Sequence, residues 1–259
     1  MKESEPRTTL PSDFIRRMKF YLTTPQPCPY LPEQTERKVF ANLAVENAVN
    51  LHDSLTRSGF RRSQSIAYRP ACVACQACRS VRIDVRNFEF TRRRRRILSA
   101  NADLRRSPHE TEATREQFRL LKRYLDTRHA EGGMADMTYR DFSSMVGASP
   151  VRTVIFEYRS DKTASGSEPA LEAAALTDVL RDGLSMVYSF FSPERSRQSP
   201  GAFLILDHVR LAAELGLPYV YLGYWVRGSA KMAYKSDYRP LEMLDGDDWR
   251  PVTDDDLTA

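Results

Sequence analysis

Three thiols at fixed spacing constrain this chain most: Cys72-Val73-Ala74-Cys75-Gln76-Ala77-Cys78. A C-x-x-C-x-x-C loop lets several thiolates converge on one centre, as zinc and iron–sulfur sites require. The sequence has four cysteines, and the remaining one, Cys28, lies in the stiff run Pro27-Cys28-Pro29. Cys28, Cys72, Cys75 and Cys78 are therefore the candidate metal ligands. Four thiols suffice for a structural or regulatory zinc or an iron–sulfur cluster, and the spacing leaves the two open. A structural zinc beside an uninvolved Cys28 is the plainer alternative. A cysteine nucleophile is disfavoured because no histidine lies near in sequence, although such a partner need be close only in space.

Arginines bracket these thiols at Arg61, Arg62, Arg69 and Arg79, so an anion site is expected beside them. The chain has 39 basic against 34 acidic residues, a formal charge of +5, and the excess is uneven. The front half up to Arg123 is crowded with arginine, whereas the tail from Asp245 to Asp256 is acidic. That asymmetry points to a polyanion, most simply a nucleic acid. Arg92, Arg93, Arg94, Arg95 and Arg96 precede a helix predicted to reach Leu104, and their planar forks suit phosphate. A basic amphipathic helix is predicted over Glu112–His129, with Phe118, Leu121 and Leu125 on one face and Arg115, Arg119, Lys122 and Arg123 around it.

No apolar run is long enough to span a bilayer, and no leader pattern opens the chain, so a cytoplasmic protein without a membrane partner is expected. Reducing conditions there favour metal ligation over disulfides. The 259 residues allow two modest domains: 1–105, rich in cysteine and arginine, and 106–259. The opening Met1–Ser12 reads as frayed. Ser80–Phe90 reads as a strand with Val81, Ile83 and Val85 on one face and a wet face carrying Arg82, Asp84 and Arg86. After residue 150 the texture turns to strands: Val151–Tyr158, a polar insertion Ser160–Pro169, Leu171–Leu180, a tight turn at Asp182-Gly183, then Leu184–Phe191. A helix over Ala202–Leu215 stops at Gly216, with Asp207 and His208 on its polar face, and a buried strand Tyr219–Trp225 follows.

Strand, hairpin, helix, strand in that order suits an α+β, acetyltransferase-like (GNAT-type) C-terminal domain, preceded by a smaller cysteine-containing N-terminal domain. A helix N-terminus is an anion site, so Arg195 and Arg197 before Ala202 are placed to cradle a phosphate. The glycine-rich loop that holds coenzyme A in such folds is missing from Arg195-Ser196-Arg197-Gln198-Ser199-Pro200-Gly201, which argues for a different acyl carrier.

Cys28-Pro29-Tyr30-Leu31, Phe60-Arg61-Arg62-Ser63, Tyr68-Arg69-Pro70 and Cys72–Cys78 resemble the N-terminal half of the aminoacyl-tRNA–protein transferases. Thr177-Asp178-Val179, Asp182-Gly183-Leu184-Ser185, Tyr188-Ser189-Phe190-Phe191, Tyr221-Leu222-Gly223-Tyr224-Trp225 and Met232-Ala233-Tyr234-Lys235 resemble its C-terminal half. The resemblance covers nearly the whole chain and is greatest to the short bacterial aspartate/glutamate leucyltransferase branch. It implies transfer of leucine from leucyl-tRNA to proteins that begin with Asp or Glu, marking them for N-degron degradation. Arginine transfer from arginyl-tRNA to the same acceptors is the near alternative. An acetyl-CoA-dependent N-acetyltransferase is disfavoured by the missing glycine loop, and a metal-stabilised RNA-binding module does not account for the second half.

An aminoacyl ester is already activated, so this chemistry requires no cofactor, and positioning of amine and ester does most of the work. The candidate acids and bases are Asp178, Tyr188, Tyr234 and Lys235. Arg61, Arg62 and Lys235 are candidates to meet the acceptor's side-chain carboxylate.

Overall fold

β-Branched and aromatic runs broken by turn residues make up most of this chain's strands. The computed structural model describes residues 18–128, 133–161 and 169–258; Met1–Ser12, His129 at the end of the expected amphipathic helix and most of the expected polar insertion lie outside the described residues. Its elements in order are β1 (Phe20–Leu22), β2 (Gln26–Pro27), β3 (Thr35–Glu36), β4 (Lys38–Asn42), α1 (Ala48–Arg57), β5 (Arg61–Ser63), β6 (Ile66–Pro70) and β7 (Cys78–Asp84). Next come α2 (Arg92–Ala100), β8 (Leu104–His109), α3 (Arg115–Arg128), α4 (Tyr139–Gly147), β9 (Thr153–Ser160), β10 (Ala170–Val179) and β11 (Gly183–Phe191). The chain ends with α5 (Pro200–Glu214), β12 (Tyr219–Val226), β13 (Leu241–Asp245), β14 (Asp248–Pro251) and α6 (Asp254–Thr258).

Among the described residues the strands form an eight-stranded sheet in the order β14-β13-β7-β12-β11-β10-β9-β8, a four-stranded sheet β1-β4-β6-β5, and the ribbon β2-β3. The architecture is mixed α/β. The large sheet draws on chain from both sides of residue 105, because β7 sits between β12 and β13. Pairing is antiparallel except between β11 and β12, which run parallel because α5 crosses between them.

Neighbouring residues of β10 face opposite cores. Ala173 and Ala175 pack with Leu204, Leu206 and Val209 of α5, while Ala174 and Leu176 pack with Leu121 and Leu125 of α3 and Phe142 of α4. A third cluster joins Leu51 and Leu55 of α1 to Ala41 and Ala67 of the small sheet and to Phe60 just before β5.

Several predicted elements move. The helix expected to reach Leu104 ends at Ala100, and Leu104 opens β8, an edge strand that tolerates Pro108. The expected wet face of β7 is not wet at Arg82, which is buried with its guanidinium 3.5 Å from the Tyr219 ring and 4.3 Å from the Trp249 ring. In α5, Asp207 and His208 are buried rather than solvated: Nε2 of His208 lies 2.8 Å from the Thr177 hydroxyl, and the Asp207 carboxylate meets Tyr158 and Arg106. Pro200 occupies the first turn of α5, where its missing N–H has no partner to lose.

Candidate active site

The site is built where the large sheet opens. β11 and β12 pair over Gly183–Ser185 and Tyr219–Tyr221, and among the described residues no pairing between them continues beyond that point. Gly183 closes one end, since a Cβ there would stand 2.5 Å from the Tyr219 carbonyl oxygen. Past Ser185 and Tyr221 the two strands part, and each carries a one-residue irregularity. β11 slips against β10 around Val187, and β12 slips against β7 around Leu222. Such bulges leave backbone groups without ladder partners and turn them toward a neighbouring space.

Two cations occupy the edge of β12 that faces this gap. Arg61 reaches in from β5 and donates to the Leu222 carbonyl at 2.9 Å and to the Met186 and Val187 carbonyls at 2.9 and 3.0 Å. Two residues along, Lys235 donates to the Tyr224 carbonyl at 2.6 Å. Burial, with the Arg61 guanidinium beside it, pushes the Lys235 ammonium down to about 7. Near neutral pH much of Lys235 is therefore the free amine, a base.

Tyr188 stands on β11, and burial raises its hydroxyl well above the ordinary range, so it stays protonated. Tyr234 adjoins Lys235 and is 49% exposed. Tyr124 of α3 joins them, its ring 4.8 Å from that of Phe191 and within electrostatic reach of Tyr188 and Tyr234. Lys235 and Tyr234 thus adjoin at the opening, and Tyr124 links Tyr234 to Tyr188.

Asp178, also expected as a candidate base, stands apart from them. It is fully buried, and its two oxygens accept from Nε and Nη2 of Arg62 at 2.7 Å each and from the Thr153 hydroxyl at 2.7 Å. Nor is Arg62 available to an acceptor's carboxylate, because Asp178 and the Gln64 carbonyl hold it. This pair ties the small sheet to the large one. Arg61 likewise has its guanidinium committed to backbone carbonyls rather than open for a substrate carboxylate. Arg195 pairs bidentately with Asp103 at 2.8 and 3.0 Å, away from the phosphate role expected of it, while Arg197 is exposed.

The arginine run divides by environment. Arg94 donates to the carbonyls of Glu89, Asp237 and Arg239 and stacks on Phe88, and Arg95 donates to the Phe90 carbonyl, so these two brace α2. Arg92, Arg93 and Arg96 point outward, with Arg93 3.8 Å from Asp237. On α3, Lys122 meets the Ala135 carbonyl and Asp126, and Arg123 lies 3.4 Å from Glu194.

Cys28, Cys72, Cys75 and Cys78 line one cavity of about 440 Å³, together with Tyr30, Tyr68 and Tyr224. Burial and then the three other thiols push the Cys78 thiol up to about 12. The donor set suits a soft metal, yet among the described residues no three His, Cys, Asp or Glu side chains are gathered to hold one.

Residue-type reasoning missed Gly223 and Tyr224. Gly223 has φ +74°, and Tyr224 donates its hydroxyl toward the carbonyls of Gly59 and Tyr68, joining β12 to the small sheet. A glycine inside an otherwise apolar strand was the available signal for Gly223.

Comparison with known proteins places two matches along the chain. Residues 26–96 match the family described as arginine-tRNA-protein transferase, N terminus, and residues 116–245 match its C terminus. The aspartate/glutamate leucyltransferase of Hyphomonas neptunium is 59% identical over 99% of this chain and 100% of its own length. That of Phenylobacterium zucineum is 54% identical over 93% of this chain and 94% of its own. Among solved structures, a tandem GNAT protein from the clavulanic acid biosynthesis pathway aligns with a TM-score of 0.40 and 14% identity, over 88% of this chain and 62% of that one.

Proposed function

Given that the chain belongs to the arginine-tRNA-protein transferase family, we propose that the gap between β11 and β12 is where its acyl transfer occurs. The protein is an aminoacyltransferase that moves leucine from leucyl-tRNA to the α-amino group of proteins beginning with Asp or Glu. The observation that carries the site assignment is the buried Lys235 amine, held against β12 where that strand leaves β11.

In this reading the leucyl ester lies in the gap, with its carbonyl oxygen toward unpaired backbone N–H groups of β11 that stabilise the developing oxyanion. The acceptor's neutral α-amine attacks the carbonyl carbon, forming the C–N bond. Lys235 takes the proton that the amine sheds. The C–O bond to the ribose then breaks, and the departing oxygen takes a proton from Tyr188, which regains one as Lys235 gives up the proton it accepted. Tyr234, half exposed beside Lys235, lines the approach of the acceptor. Every step runs on side chains and backbone of this chain, and none passes through a metal. The four thiols around their cavity would have to draw together to take a soft ion, whose contribution would be structural or regulatory.

The splayed parallel strands with a helix crossing between them support an acetyltransferase-like fold for the second half. The outward Arg92, Arg93 and Arg96, with Lys122, Arg123 and Arg197, support a tRNA-binding face, and the cytoplasm is where such partners meet. Among the described residues no helix is long and apolar enough to cross a membrane. Mixing the purified protein with leucyl-tRNA and a peptide starting with Asp tests the assignment. Leucine should appear on the peptide and be lost in Lys235→Met, and equal transfer by Lys235→Met overturns it.

A further inference from the structure

Beyond its charge beside Lys235, the transfer chemistry gives Arg61 no contact with the reacting atoms, yet its side chain crosses from the small sheet into the opening of the large one. Its guanidinium bridges three carbonyls on two strands, and two of these, Val187 and Leu222, sit at the bulges of β11 and β12. A planar fork with several fixed donors can serve both strands at once, whereas a single ammonium cannot. Gly223 is shaped around it: its φ is +74°, and a Cβ there would stand 1.3 Å from Nη1 and 2.3 Å from Cζ of Arg61. β12 therefore carries no side chain at the point where the guanidinium passes. Arg62, the next residue on β5, anchors the same strand to β10 through Asp178, so the wedge is fixed at its base as well as its tip.

Resting on the transfer reading above, we propose that Arg61 is a positioning residue: a wedge from the small sheet that sets the separation of β11 and β12, and with it the place of the donor ester relative to Lys235. It does not touch the reacting atoms. The small sheet then serves the chemistry directly, because the width of the gap in one sheet is set by a side chain of the other. A displacement on the order of 1 Å at a reacting centre is enough to cost about a hundredfold in rate.

The test compares Arg61→Lys and Arg61→Ala with the natural chain, using leucyl-tRNA and an Asp-initiated peptide in steady state. Arg61→Lys should keep KM for both substrates within about threefold while kcat falls by about a hundredfold. Millimolar methylguanidinium should raise the kcat of Arg61→Ala by about tenfold. An unchanged kcat in Arg61→Lys overturns the proposal. So does a raised KM for the peptide with kcat intact, which would make Arg61 a reader of the acceptor's carboxylate. Should Arg61→Ala fail to fold, the Arg61→Lys constants decide alone. Absence of transfer by the natural chain would overturn the transfer reading itself, and this proposal with it.

Discussion

Arg62 and Asp178 meet through two hydrogen bonds of 2.7 Å, both side chains out of reach of water, across the seam between the two sheets. His52 of α1 stands beside them, 3.3 Å from the carboxylate, and burial lowers its pKa. Removing one member of a buried pair strands the other charge, which typically costs about 3–5 kcal/mol. Asp178→Asn should therefore unfold at markedly lower urea concentration, and the folded fraction at low temperature should still transfer leucine. Loss of transfer from a fully folded Asp178→Asn would restore Asp178 as the base.

As the proposed base, Lys235 should set the acid limb of the reaction. With its ammonium pushed down to about 7, kcat should rise as pH climbs through that value and then level off. Lys235→Met and Lys235→Arg should each lose about 10²–10⁴ in kcat while binding leucyl-tRNA as before, since neither offers a free amine. The same shift acts on stability. The group's pKa is depressed from 10.5 in the folded chain, so its full contribution is present above 10.5 and is lost as pH falls through about 7. Urea midpoints measured across that interval should slope for the natural chain and flatten for Lys235→Met.

His208 adds a second pH dependence. It is fully buried, bonded to Thr177 and to the Leu204 carbonyl, and burial holds its pKa below 6.5. Unfolding at pH below 6.5 releases an imidazole that takes up a proton, so stability should fall as the solution is acidified from there. His208→Gln should reduce that acid sensitivity, as read from thermal midpoints between about pH 5 and 7.

The arginines of α2 should separate in mutagenesis. Arg94 holds three backbone carbonyls, so Arg94→Ala should lower the thermal midpoint. Replacing Arg92, Arg93 and Arg96 together should leave that midpoint alone and weaken tRNA binding. For every phosphate that the protein no longer neutralises, the slope of log affinity against log salt shallows by about 0.7–0.9, and an unchanged slope would exclude these residues from the tRNA face.

Much of the large sheet was readable from local pattern. Period-two alternation announced β7, the strand-like texture after residue 150 announced β9–β11, Asp182-Gly183 announced the turn between β10 and β11, and Gly216 with Pro218 announced the end of α5. The helix α4, opened by the Thr138–Asp141 capping box, was not predicted, because the apolar pattern behind it is too short to stand out. What sequence could not disclose is long-range pairing. Arg62 and Asp178 lie 116 residues apart, and Arg61 and Leu222 lie 161 apart, so two neighbouring arginines read alike although one braces a seam and the other a gap. His208 failed for a related reason: a polar residue type reads as solvated, whereas its ring turns to the sheet, where Nε2 meets Thr177 of β10 and the ring meets the edge of Phe156 of β9.

The central claim is that a largely uncharged Lys235 beside the parted strands accepts the proton of the incoming amine. Single-turnover transfer of labelled leucine from leucyl-tRNA to an Asp-initiated peptide, followed from about pH 5.5 to 9, tests it most directly. The natural chain should show a rate that climbs with pH and bends near pH 7, with Lys235→Met slow and keeping only the bend of the peptide's own α-amine at about 7.7–8.0. A natural-chain profile that is flat through pH 7, or a bend near pH 7 that persists in Lys235→Met, would contradict it.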